Sequence, residues 1–172
     1  MKYFCYLLLL VPILSFSQTG ALDLKDGKIY WQKIYKTDLS KEEIRAIIKS
    51  NATLNPLFEN FSGISNPARI KCKEEDLPNY MANPFQFFAL VEFKNNRYRV
   101  TISDIKIIPR TLKIDDYSNN IQNNTPRDLE DYQLKNGAFR TFRSYASNAR
   151  ICLMNYFNDL FDFKLDSADL DW

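Results

Sequence analysis

The chain reads as an α+β domain: a curved antiparallel sheet with an N-terminal helix and a long C-terminal helix packed on one face, in β-α-β-β-β-α order. Three observations predict this. A β-forming run, KIYWQKIYK over Lys28–Lys36, leads directly into a complete helix start signal at Ser40. Two alternating segments flank Asn95-Asn96 and pair in only one sensible register. Apolar side chains then recur at three- and four-residue steps near the end of the chain. Strands followed by helices that must bury one face give an antiparallel sheet with its helices on one side.

The elements follow in order. Lys28–Lys36 is rich in Ile, Tyr and Trp, the residue types that suit a half-buried pleated surface. Ser40 and Glu43 form an S-x-x-E capping box, and Leu39 and Ile44 are placed to staple the helix entry. Ile44, Ile47 and Ile48 share one helical face, which is therefore core, and Asn55-Pro56 stops any continuation. ISNPARIKCKEED reads as a second strand, whose early part Pro67 confines to a sheet edge or a bulge. Beyond it Ile70 and Cys72 share one side, and Arg69, Lys71 and Lys73 the other.

The hairpin can be tested for register. With Asn95-Asn96 as the turn, Phe93 faces Tyr98, Glu92 faces Arg99, Val91 faces Val100, Leu90 faces Thr101 and Ala89 faces Ile102. One face is then wholly apolar on both strands, and the other sets Glu92 against Arg99. A slip of one residue destroys both features together. Ile105 and Ile107 have the opposite parity to Ile102, so a bulge near Ser103-Asp104 is needed to return them to the core. The last element is read as a helix from Ala138 to Phe161, with Phe142, Tyr145, Ala149, Cys152, Tyr156 and Leu160 on its stripe, widened by Phe139, Leu153 and Phe157.

The ends set the compartment. A positive start at Lys2, an uncharged run from Tyr3 to Phe16 and small Ser15 and Ser17 make a secretory signal peptide cut after Ser17. The run is shorter than the ~20 residues of a membrane-spanning helix. The chain divides into residues 1–17 as signal peptide, 18–26 as a short leader, 27–165 as a single α+β domain with a long polar loop over 109–137, and 166–172 as a tail. Export predicts a periplasmic or secreted protein with no transmembrane segment after cleavage. Losing Lys2 from the 23 basic residues leaves 22 against 21 acidic, a net charge of +1. That balance argues against a nucleic-acid partner, which usually meets a basic surplus. Export permits a bond between Cys72 and Cys152, the two thiols left after cleavage, but nothing local in the sequence brings them together, and free cysteine is a common buried small hydrophobe.

KIYWQKIYKTDLSKEEI at the strand-to-helix opening and RYRVTISDIKI in the hairpin, together with the signal peptide, resemble the exported bacterial family called domain of unknown function 4468, of TBP-like fold and common in Bacteroidota. The resemblance covers about Gly27 to Ile108, with the closing helix matching in type alone. It implies a fold, and brings no catalytic residue, cofactor or metal.

The chain contains no histidine, which removes the ordinary Ser-His and Cys-His nucleophile pairs. A carboxylate-based hydrolase stays open through Glu92 and Asp104, although Arg99 opposite Glu92 favours a structural ion pair. The acidic groups at Asp115-Asp116 and at Asp128, Glu130 and Asp131 lack the spacing of a calcium loop and read as solvated. No cofactor or metal is predicted. The favoured reading is a non-catalytic binding or protein-interaction module of the cell envelope. Its interaction face holds Phe88, Leu90, Glu92 and Arg99, on the side of the hairpin away from the core, and its partner is a protein, glycan or lipid. The rival for those residues is cover by the chain's own loop. An alternative function is a carrier of a small apolar ligand or lipid in a cavity between sheet and C-terminal helix. Asp166-Ser167-Ala168 also matches a short O-glycosylation acceptor pattern of exported Bacteroidota proteins.

Overall fold

A computed structural model describes residues 20–109, 125–141 and 147–164. The signal peptide, Asp115-Asp116, Phe142 and Tyr145 of the helical stripe, and the Asp166-Ser167-Ala168 tail lie outside the described residues.

The first strand, β1 (Ala21–Lys25), falls where the sequence suggested a leader. It pairs antiparallel with β2 (Lys28–Lys36) through an Asp26-Gly27 turn with φ of +52° and +76°. Two consecutive left-handed residues make the turn whose twist matches a hairpin, and Asp-Gly is a residue pair suited to it. The helix α1 (Lys41–Ser50) starts as expected: Ser40 Oγ accepts from the Glu43 N–H, and Glu43 Oε2 accepts from the Ser40 N–H at 2.6 Å. Pro67 separates two short strands, β3 (Ser62–Ile64) and β4 (Ala68–Arg69). Both pair with β5 (Pro84–Phe93), which forms the central hairpin with β6 (Arg97–Ile107).

Every hairpin pairing read from the sequence is present, from Phe93 opposite Tyr98 to Ala89 opposite Ile102. The phase break is present too. Phe88 faces Ser103 and Gln86 faces Lys106, so Asp104 and Ile105 together oppose Phe87. Asp104 takes the extra residue with φ of +48°, and Ile105 and Ile107 return to the buried face.

The sheet order among the described residues is β1-β2-β6-β5-β3, with β4 also on β5 and a short β7 (Arg127–Asp128) on β6. β7 belongs to the stretch read as a polar loop. Its continuation, α2 (Leu129–Gln133), buries Leu129 and Gln133. The β2–β6 ladder ends at the Trp31–Ile102 pair, and two residues beyond it the Ile29 N–H donates to Glu130 Oε1 at 2.8 Å. The segment therefore closes the opening that the bulge makes between two strands.

The C-terminal helix begins later than its periodicity suggests. Ala138–Phe139 is a strand, β9, paired with β8 (Leu134–Lys135) across a left-handed Asn136-Gly137 turn. The helix itself, α3, spans Ala149–Leu160. Asn-Gly is a hairpin signal of the same kind as Asp-Gly, and it overrides an apolar spacing counted across it.

The helices send their buried side chains to one face of the sheet. Ile44 and Ile48 of α1 and Ala149, Cys152, Leu153 and Phe157 of α3 join Trp31, Phe87, Val91, Tyr98, Val100 and Ile102 in a single core. Phe157 lies 5.6 Å from Trp31 and 5.3 Å from Phe87 between ring centroids, both within the range for favourable aromatic pairs.

Asp104→Gly is expected to leave stability within about 1 kcal/mol, because glycine adopts left-handed backbone freely. Asp104→Val should cost about 1–2 kcal/mol, because a β-branched side chain there is strained. Urea denaturation of both variants checks the bulge, and equal losses would count against it.

Candidate functional site

The face away from the helices is built from alternate residues of the central strands, because successive side chains point to opposite sides. Cross-strand register orders it in rows. Lys36 lies opposite Arg97, Ile34 opposite Arg99, and Gln32 opposite Thr101, with Gln32 Nε2 donating to Thr101 Oγ1 at 2.9 Å. On the far side of β6, Glu92 faces Arg99, Leu90 faces Thr101 and Phe88 faces Ser103. β3 extends two rows outward with Ser62 beside Leu90 and Ile64 beside Phe88.

The four residues singled out from the sequence are thus on one face. Arg99 Nε and Nη2 both donate to Glu92 Oε2, at 3.0 and 2.8 Å. Phe88 and Leu90 are half-buried among their sheet neighbours, while Ile64 is 60% exposed. Sequence reasoning missed Ile34, Tyr30 and Ile64, which enlarge the apolar part of the face. The alternation within β2 marks Tyr30 and Ile34 as outward, but nothing in the sequence sets β2 beside β6.

The sheet edges are less open than the face. Along β1 the Leu24 N–H is taken by Asp23 Oδ1 at 2.8 Å, and Tyr30 Oη donates to Asp23 Oδ2 at 3.0 Å. The opposite edge consists of β3 and β4, three and two residues long, either side of Pro67. Short edge strands, charges and proline all discourage an added strand.

The carboxylates fill structural roles. Glu92 is held by Arg99, and Asp104 sits at the bulge, five residues along the strand from Arg99. At ~3.3 Å per residue that is about 16 Å, beyond the reach of a paired-carboxylate glycosidase centre. Asp128 accepts from Lys28 at 3.2 Å and lies 3.5 Å from Lys106, and Glu130 holds the Ile29 N–H. The hydrogen bond from Lys28 holds the Asp128 carboxyl below its ordinary range despite some burial, and the same bond raises Lys28.

Cys72 and Cys152 are joined as a disulfide with their Cα atoms 5.3 Å apart, tying the segment after β4 to α3. Asn155 Nδ2 donates to Glu74 Oε1 at 3.2 Å and Asn148 Nδ2 to the Glu75 carbonyl at 2.7 Å, reinforcing the same junction. Glu74 lies close enough to the two sulfurs to suggest a metal ligand set. Sulfurs bonded to each other offer no thiolate, however, and Arg69, Lys71 and Lys73 line the same groove. The space between sheet and α3 is occupied by the rings of Trp31, Phe87, Phe157 and Phe161, all fully buried. Phe157 meets Trp31 and Phe87 there at favourable ring distances. No described helix is long and apolar enough to cross a membrane.

No protein-family model and no curated protein matches the chain. Two solved structures are similar to it. One is a TBP-like protein from Parabacteroides distasonis, 18% identical, covering 82% of this chain and 95% of that one with a TM-score of 0.47. The other is a DUF4468 family protein from Bacteroides ovatus, 14% identical, covering 84% and 88% with a TM-score of 0.45. The second bears the name of the family that the sequence resembles, and the first the fold name that accompanies it. Neither description states an activity. The α+β class rests on this chain's own sheet and helices.

Two measurements follow from these contacts. The disulfide closes a separation of 80 residues. Loss of a bond closing so long a loop costs about 2–4 kcal/mol, so a Cys72→Ser, Cys152→Ser double variant should unfold at correspondingly lower urea. Because Asp128 titrates below its ordinary value in the fold, its contribution is complete above the ordinary carboxylate range and is lost as pH falls through the depressed value. Asp128→Asn should therefore flatten the decline of the denaturation midpoint between pH about 5 and about 2.

Proposed function

We propose that the chain is an exported, non-catalytic interaction module of the cell envelope that receives a protein partner on its outer sheet face. The observation that carries this reading is the one-sidedness of the sheet. The helices and the aromatic core occupy one side, while Tyr30, Ile34, Phe88, Leu90 and Ile64 lie on the other, beside the Glu92–Arg99 pair. An apolar area rimmed by charge is the usual form of a protein-binding surface. The guarded edges, with short strands and Pro67 on one side and Asp23 on the other, favour a partner laid on the face over a strand added at the side. The signal-like N-terminal sequence supports export, and a disulfide suits an oxidising compartment.

A photo-reactive residue at position 90 should give a discrete protein adduct in growing cells, and the same residue at Glu42 on the helix side should give none. Ile34→Lys should abolish the adduct while changing stability by less than about 1 kcal/mol, as expected for an open surface site. No adduct at position 90, or equal adducts from both positions, rejects the reading. A stability loss above about 2 kcal/mol for Ile34→Lys would place that residue under the chain's own cover, with the same consequence.

A further inference from the structure

One row of the outer face has a charge pattern that the Glu92–Arg99 pair does not explain. Lys36 on β2 lies opposite Arg97 on β6, and Lys94, the residue just after β5, closes the hairpin against Arg97 through its N–H to the Arg97 carbonyl at 3.0 Å. Three cations therefore stand side by side at the turn end of the sheet, all exposed. Like charges directly opposite each other weaken a sheet. Among the described residues no ion pair takes up any of the three: the four pairs formed are Lys28–Asp128, Arg99–Glu92, Lys106–Asp128 and Lys164–Asp162. Asp38 borders the same groove without bonding to them. Such a row favours anionic groups brought from outside.

Resting on the interaction face proposed above, we infer that the partner is an extended acidic protein segment, with carboxylates over the Lys36–Arg97–Lys94 row and apolar side chains beyond it. The spacing follows from the strands. Ile34 lies two residues from Lys36 along β2, and Leu90 on β5 lies four residues before Lys94, or about 7 and 13 Å at ~3.3 Å per residue. An extended segment laid along the strands meets these positions with acidic residues at one end and apolar residues two and four places on. A membrane surface fits less well. A plane of uniform negative charge that engages the cations also meets Asp23, Asp38 and Glu92, whereas a discrete segment confines its carboxylates to the cationic end. Arg97 is the central member of the row, and its guanidinium matches a carboxylate in two-point geometry.

The test uses the mature chain and fluorescein-labelled peptides of sequence Asp-Asp-Thr-Leu-Thr-Leu-Thr-Phe, with Asn-Asn and Lys-Lys replacing the two aspartates as controls. By fluorescence anisotropy the Asp-Asp peptide should bind at least about tenfold tighter than the Asn-Asn peptide, and its affinity should fall as salt rises. A Lys36→Glu, Arg97→Glu variant should lose that preference and bind the Lys-Lys peptide instead, a gain that a misfolded variant cannot produce. Equal binding of the Asp-Asp and Asn-Asn peptides overturns the inference, as does unchanged Asp-Asp binding by the reversed variant. Phosphatidylglycerol vesicles that bind the chain while the Asp-Asp peptide does not overturn it in favour of a membrane. If adducts from position 90 persist while the charge preference fails, the face reading stands and this inference falls. If the adducts are absent as well, both fall.

Discussion

The left-handed residue at Asp104 governs which side of the sheet is wet. Along a strand the side-chain period is two, so one inserted residue exchanges the faces of everything beyond it. Ile102 is buried before the insertion, and Ile105 and Ile107 are buried after it. Without the insertion those two side chains would stand among the polar groups of the outer face, and β6 could not serve both halves of the core. The change has a local cost, since β6 leaves β2 and a backbone donor on β2 loses its strand partner. Glu130 supplies the acceptor, which makes the short α2 segment part of the sheet's closure rather than a connection between larger elements.

The C-terminal end of α3 is held to the sheet by a few directed bonds on top of apolar packing. Tyr98, in the middle of the hairpin, donates to the Phe161 carbonyl at 2.7 Å and accepts from the Phe163 N–H at 3.2 Å. Lys33, on the helix side of β2, donates to Asn158 Oδ1 at 2.6 Å, and Tyr35 Oη donates to the Asn158 carbonyl at 3.2 Å. Tyr35 and Tyr98 themselves stack with centroids 5.0 Å apart. Aromatic residues with a polar tip thus do two tasks here, filling the core and tying up the carbonyls where α3 ends. Among the described residues the helices make no such fastenings to the opposite face.

Local signals proved legible to the extent that their chemistry was local. The capping box at Ser40, the Asn95-Asn96 register and the need for a bulge near Asp104 could all be read because each rests on residues close in sequence. Asp26-Gly27 and Asn136-Gly137 were equally local signals. Reading past them turned β1 into a leader and β9 into the start of a helix. What could not be read depends on neighbours far apart in the chain. The Lys36–Arg97 juxtaposition requires knowing that β2 pairs with β6, and the role of Glu130 requires knowing that β6 departs from β2. Cys72 and Cys152 could be named as the available pair, but their meeting depends on how the edge segment docks against α3.

That covalent link also decides how the molecule carries load. The ring it closes contains the whole central hairpin. A force applied at the two ends of the chain passes through the sulfur bridge and bypasses the intervening 80-residue span. At ~3.4 Å per residue, about 270 Å of contour is withheld from extension. Tension then runs through β1 to β4, α1 and the part of α3 beyond Cys152, while the central β5–β6 hairpin stays out of the line of pull.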